Sequence, residues 1–365
     1  MLKQITHSIN PEWVGNEYSS CCPFNCNNTR LLFIKRDHFG LYDGDGIFID
    51  DLPINASQEP RWDRTNPDAL YCISTNRLMK LDTSAIASPE PSVLRSFSEY
   101  VKISGCGESD ISPDGDHFVL SGTRTDGVHE VFVYRISTNA KDVIYPQTEP
   151  FDGLKIDSRN RPIVSRAEGI YLLAKGTARK IAPANGHACA AVHNGRPVLL
   201  WSSSNDPFSN MNALVLIEID TGVQEILHVF SWAESFHVSA CDRDFCLVST
   251  DVPSRDLPSQ LWKIYFDKMK PAELLGETGS LFTGYNSQVK AALSRDGSKV
   301  VGCSNFGKTT DPNYCDVFLM TIDATAPVDT LTTDTRIDYS PWFGKSVFVM
   351  VPRPDGALDI FERKV

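Results

Sequence analysis

The sequence predicts an all-β chain folded as a single β-propeller over residues 1–365, and three observations carry that prediction. A hairpin signature built on a Ser-Pro-Asp-Gly turn between apolar strands recurs along the chain. The copies fall 34–53 residues apart, the period of a four-stranded propeller blade. No long segment has the 3.6-residue apolar period of a helix.

The clearest copy is ESDISPDGDHFVLSG at 108–122. Proline fixes φ at the turn, and glycine accepts the positive φ that closes it. AALSRDGSKVVGC at 291–303 is the nearest relative. Weaker copies begin at Ser19, Pro60, Leu154, His187, His237 and Tyr339. A third strand pattern follows each one, at 78–82, 131–136, 170–174, 213–219, 261–266, 317–322 and 358–361 among others. Fourth strands are expected at positions such as 179–181 and 224–227. Eight copies give eight four-stranded blades. The copies from Gly153 and His187 are the weakest, which leaves seven as the alternative. The last copy has three strands of its own, so residues 3–6 are expected to supply its fourth and close the ring. Closure removes the open sheet edges that invite aggregation.

Composition narrows the partners. A net charge of −11 disfavours nucleic acid, whose binding needs a basic footprint. The opening MLKQITHSINPEW lacks the apolar core of a signal peptide, and no stretch reaches 18 consecutive apolar residues. The expectation is a cytoplasmic monomer with no membrane contact and ten reduced thiols. Cys21, Cys22 and Cys26 lack the second ligand pair that a zinc knuckle requires.

First strands of blades line the central channel, and the residue opening each should face its mouth. These residues are Cys21, Glu59, Glu108, Gly153, His187, His237, Lys290 and Tyr339, with Tyr18, Asp152 and Arg336 just upstream. The set has the acid, base and cation groups of an active site. Propeller channels are also wet, so polar residues there need no function. Trp62, Trp201, Trp262 and Trp342 read as core, and His117 as structural. Asp43 and Asp45 are too few oxygens for calcium. Gly-Lys-Thr at 307–309 lacks the upstream glycine of a phosphate loop.

The Ser-Pro-Asp-Gly hairpins resemble TolB-like propeller repeats. The order of segments resembles the oligogalacturonate lyases, through IleThrHisSer at 5–8, Glu17-Tyr18, ArgLeuLeuPhe at 30–33, AsnArgLeuMetLysLeuAsp at 76–82 and the 98–115 segment. That family consists of cytoplasmic propellers, usually counted with seven blades, that cleave short pectin fragments by β-elimination. The resemblance implies that His237 sits at the place of the catalytic histidine and His187 at that of a second channel histidine. The family's manganese ligands are not reproduced: Lys290 stands where the first histidine belongs, and Ile337-Asp338-Tyr339 where a His-Pro-His segment does. A family substrate-binding arginine falls at Asn212.

The expectation is therefore a metal-independent lyase, without cofactor, cleaving a uronate-containing oligosaccharide or sugar acid. His237 or His187 would take the C5 proton. Lys290 would neutralise the carboxylate in the metal's place, Tyr339 would act as the acid, and Arg336 would hold a second carboxylate. Glu59, Glu108, Tyr18 and Asp152 would bind substrate. The alternative is a non-enzymatic propeller that binds a sugar or a protein. A third reading, hydrolysis, would use Glu59 and Glu108 as its carboxylate pair.

Overall fold

The computed structural model describes residues 2–7, 14–15, 18–84, 91–147, 150–174, 177–203, 212–230, 233, 235–251, 259–281, 284–308, 314–322, 346–352 and 358–364. Among them, seven four-stranded antiparallel sheets succeed one another along the chain. Blade I holds Val14–Gly15, Arg30–Lys35, His38–Asp43 and Phe48–Asn55, and blade II holds Arg61–Trp62, Ala69–Ser74, Arg77–Asp82 and Ser92–Ser96. Blade III runs Tyr100–Ser104, His117–Arg124, His129–Arg135, Ala140–Pro146, and blade IV runs Gly153–Ile156, Pro162–Arg166, Gly169–Ala174, Thr177–Ala182. Blade V is Ala188–His193, Arg196–Ser202, Ala213–Glu218 and Gln224–Val229, and blade VI is Ser235–Ala240, Phe245–Asp251, Gln260–Tyr265 and Glu273–Glu277. Blade VII joins Ala292–Leu293, Lys299–Ser304 and Asp316–Thr321 to the N-terminal strand Leu2–Gln4.

Of the two blade counts the sequence allows, the structure has seven. The copies that read as weakest, from Gly153 and His187, are complete blades. The copy at Tyr339 adds no eighth blade among the described residues, where Ser346–Pro352 and Leu358–Lys364 pair as a two-stranded hairpin. The N-terminal strand closes the ring as expected, but onto Asp316–Thr321, pairing Leu2 with Met320 and Gln4 with Phe318. Buried Asp316 locks the closure. It accepts from Thr6 Oγ1 at 2.9 Å and Gln4 Nε2 at 2.8 Å, while Val317 N donates to Thr6 Oγ1 at 2.8 Å.

The turn grammar works at atomic level. In blade III, Ser112 Oγ donates to Asp114, Gly115 N donates to Ser112 O, and His117 N returns to Ser112 Oγ at 3.0 Å. Blade VII repeats this set at Ser294, Asp296, Gly297 and Lys299, and both glycines take φ +75°. In the degenerate copies a single Asn or Asp takes over the serine's role: Asn25, Asp63 and Asp157 each accept two turn N–H groups.

Between successive blades lies one apolar cluster, and there are seven of them. The cluster of Phe24, Leu31, Phe33, Val301, Val317 and Leu319 joins blade VII to blade I, so the ring is sealed by core as well as by pairing. Truncating a fully buried Phe33 there should cost about 3–5 kcal/mol. Trp62 and Trp201 are buried in the core, as read. Each blade whose fourth strand follows in sequence carries a bulge between its third and fourth strands, which adds twist to the outer edge.

Two inner strands are interrupted. In blade I, Val14–Gly15 pairs with Ile34 and Lys35, and pairing resumes only at Phe24. In blade III the strand stops at Ser104, and the chain rejoins the sheet at Ser112. The loops so released carry Tyr18 and Glu108 to the channel. Ser20 Oγ donates to Glu108 O at 3.0 Å, and Cys21 Sγ lies 3.3 Å from Gly107 O, tying one loop to the other.

Candidate functional site

Tyr18, His187 and His237 meet where the inner strands begin. The two imidazoles stack with centroids 4.0 Å apart and planes 17° apart. Tyr18 sets its ring edge-on against both, at 5.9 Å from His187 and 5.6 Å from His237. His187 Nδ1 lies 2.8 Å from Phe236 O, and a carbonyl can only accept. Nδ1 therefore carries the proton and Nε2 keeps its lone pair. Burial, then the neighbouring His237, lowers the His187 pKa to about 4, so the ring is neutral at pH 7. Burial and then the Glu108 charge push the Tyr18 hydroxyl well above its ordinary range, so it remains a donor.

His237 is 1% exposed. Its Nδ1 lies 3.2 Å from Asp251 Oδ2, yet out of line for a hydrogen bond, and neither ring nitrogen has a hydrogen-bonded partner among the described residues. Asp251, at the end of a fully buried second strand, is 2% exposed. It accepts from Ser235 Oγ at 3.3 Å and from Val289 N at 3.4 Å. The second of these contacts leads to Lys290, one residue on. Lys290 is held at φ +41°, a left-handed conformation costly for a side-chain-bearing residue. Burial lowers its pKa to about 8, opposed by Cys303 and Asp251. Its Nζ sits 3.0 Å from the centroid of the exposed Tyr285 ring.

Glu108 and Lys155 form the floor of this mouth. Their side chains make an ion pair between blades III and IV, with Lys155 only 4% exposed. Gly153 makes room for it: a Cβ there would overlap the Glu108 carboxylate. Asp152 accepts from Asn185 at 3.4 Å, and its charge helps raise Tyr18 and Tyr285. Glu59 sits apart from this group in its bonding. Both its oxygens are taken by the blade III loop, through Ser104 Oγ at 2.6 Å, Gly105 N at 2.8 Å and Gly107 N at 3.1 Å. Asn212 donates to Ala233 O at 2.8 Å and anchors a loop. Tyr339, Arg336 and Trp342 lie outside the described residues.

Lys155, Asp251 and Tyr285 were not anticipated. Lys155 and Asp251 had a signal: a lysine inside the apolar run GLKI and an aspartate closing FCLVSTD are both costly to bury without a task. Tyr285 had none.

These residues do not fit a manganese ion. An ammonium stands at Lys290 and offers no lone pair while protonated. The parallel imidazoles of His187 and His237 direct their in-plane lone pairs side by side, not to a common point. Among the described residues, no three His, Cys, Asp or Glu are grouped to hold a metal. None of the ten cysteines is in a disulfide. Among the described residues, no helix is long and apolar enough to cross a membrane.

No family model matches the chain, and no curated protein matches it by sequence. Among solved structures, the chain is similar to an oligogalacturonate lyase from Vibrio parahaemolyticus, with 13% identity, 88% of this chain and 93% of that one covered, and a TM-score of 0.61. It is also similar to an oligogalacturonate lyase in complex with manganese, with 11% identity, the same coverage and a TM-score of 0.64. TolB from Acinetobacter baumannii matches at 15% identity over 72% of this chain and 63% of that one, with a TM-score of 0.42. At these identities the likeness shows the fold: a propeller of four-stranded blades.

Proposed function

We propose that the protein is a carbohydrate-active propeller, a lyase that cleaves a uronate-containing oligosaccharide by β-elimination without a metal. The observation that carries this reading is the run of contacts from His237 to Asp251 and from Asp251 to Val289, the residue before Lys290, with Tyr18 against His237 and Tyr285 under Lys290. It supports a reading in which one site supplies the three things that uronate elimination needs.

Lys290 supplies the cation. A protonated ammonium against the substrate carboxylate lowers the cost of charge developing at C5. With a pKa of about 8, roughly nine in ten Lys290 side chains carry that charge at pH 7. His237 takes the C5 proton, and Asp251 at 3.2 Å stabilises the imidazolium that forms. The C5–H electrons become the C4–C5 double bond as the C4–O bond breaks. Tyr18, whose hydroxyl burial holds protonated, donates a hydrogen bond to the departing oxygen, which takes its proton from the imidazolium formed on His237. His187, with its pKa near 4, is a poor base and serves as a neutral acceptor through Nε2.

One observation favours the alternative, a propeller that binds a sugar without cleaving it: His237 and Lys290 do not line the cavity in the bore. Kinetics on oligogalacturonates separate the two readings. Lys290→Met should lower kcat/KM at least a hundredfold, and Lys290→Arg should restore part of it. A Lys290→Met enzyme as active as wild type, or a wild type with no turnover, removes the lyase reading.

A further inference from the structure

We infer that the far end of the bore holds a second binding pocket, separate from the mouth, that takes a neutral, hydroxyl-rich small molecule such as a monosaccharide. A cavity of about 360 Å³ lies there, within the size range of small-ligand sites. Its lining comes from the ends of the inner strands and the turns that follow them, so it opens away from Tyr18 and His237. The Lys155–Glu108 pair is the boundary: both residues line the cavity, whereas His187, His237, Tyr18 and Lys290 do not.

Two ion pairs cross the bore. Arg64 of the blade II turn meets Asp242 of the blade VI turn at 3.1 and 3.2 Å. Arg295 of blade VII meets Asp110 of blade III at 3.1 Å and also donates to Trp62 O at 3.3 Å. Beside them the wall from blades IV, V and VI mixes small or apolar groups, Ala190, Ala240, Ile156 and Cys189, with the neutral polar groups Ser158, Asn194 and Ser239. Such a mixture suits a sugar, whose ring offers C–H groups as well as hydroxyls.

Charge selects the ligand class. The lining carries Arg64, Lys155, Arg243 and Arg295 against Glu108, Asp110, Asp242 and Asp244. Arg64, Lys155 and Arg295 each already contact a carboxylate, Arg243 donates to Asp296 O, and Asp244 is held by His193. At Arg64, Lys155 and Arg295, three of the four cations, an anion would have to displace a carboxylate from a partly buried pair, which is unfavourable. Hydroxyls can share the spare lone pairs and N–H groups without breaking any pair. The lining has no aromatic ring among the described residues, so a base or other flat ligand finds no stacking surface.

This inference does not rest on the lyase reading. The test is isothermal titration calorimetry of the full chain with glucose, galactose and mannose, and with galacturonate and inorganic phosphate as charged probes. At least one neutral sugar should bind, and Ala190→Leu should weaken it tenfold or more, about 1.4 kcal/mol. Arg64→Met, which removes the cation of a half-exposed pair, should weaken it as well and stands in if Ala190→Leu does not fold. His237→Ala should leave it unchanged. Binding of no neutral sugar, tighter binding of phosphate or galacturonate, or sugar binding lost in His237→Ala but kept in Ala190→Leu each overturns the pocket.

Discussion

Replacing Gly153 by alanine tests whether the floor of the mouth is held by the Lys155–Glu108 pair. A Cβ at 153 would overlap the Glu108 carboxylate, lying 2.9 Å from its Cδ and 3.1 Å from Lys155 Nζ. Glu108 ends a flexible side chain and can swing away, so the clash itself is cheap. What is lost is the partner of an ammonium that is 4% exposed. Stranding one member of a buried pair costs about 3–5 kcal/mol. Glu108 is 17% exposed, so water reaches this pair and the lower end applies, about 3 kcal/mol. Alanine in a strand recovers roughly 0.5–1 kcal/mol over glycine, leaving a net loss of about 2 kcal/mol. Glu108→Ala should cost a similar amount by the same route. In the double variant the carboxylate is already gone and the new methyl has room. The two losses should then fail to add, with a coupling energy of about 3 kcal/mol, the cost of stranding Lys155 counted once instead of twice. Urea denaturation of the four proteins at pH 7 measures this. Additive losses, or a Gly153→Ala protein within 0.5 kcal/mol of wild type, would refute the reasoning.

Other consequences follow from the charges. Lys290 has a folded pKa of about 8 against 10.5 ordinarily, so the folded state binds fewer protons than the unfolded one between those values. Stability should therefore rise as pH climbs from about 8 to 10.5. Lys290→Met should be more stable than wild type at pH 7, with the gain gone above pH 10.5, read by thermal melts across that range. Activity should move the other way, kcat/KM falling above pH 8 as the ammonium deprotonates. Arg295→Met should cost about 3 kcal/mol, because it leaves the partly buried Asp110 without the cation that pairs with it. Arg64→Met should cost under about 1 kcal/mol, because Asp242 is 58% exposed; denaturation midpoints distinguish the two.

The blades were legible in the sequence because a turn needs particular residues at particular offsets, and Ser112, Asp114 and Gly115 are all present to form it. Where Asn25 or Asp157 replaces serine, the turn survives and the signal weakens, which is why complete blades read as the faintest copies. The opposite error came with the copy at Tyr339: the N-terminal strand expected to complete its blade pairs instead with Asp316–Thr321, and among the described residues that copy shows only a hairpin. Seven interfaces already close the ring through Phe24 and Val301. Local pattern reports hairpins; it does not report which hairpins pack. The mouth was partly legible for a similar reason. His187 precedes the inner strand Ala188–His193 and His237 lies in the first half of Ser235–Ala240, each at its expected place in the repeat. Lys155 and Asp251 lie inside strands, where the repeat predicts core, and only the oddity of a charge in an apolar run marks them. The role of Glu59 depends on a broken strand at Ser104 that no periodicity announces.

The most direct measurement is ultraviolet absorbance on incubating the protein with uronate-containing oligosaccharides, with and without a chelator. Elimination creates a conjugated C4–C5 double bond, so the signal reports the bond made. The account predicts a rise that survives chelator and falls at least a hundredfold in rate in His237→Ala. A rise abolished by chelator, or no rise on any uronate, would contradict it.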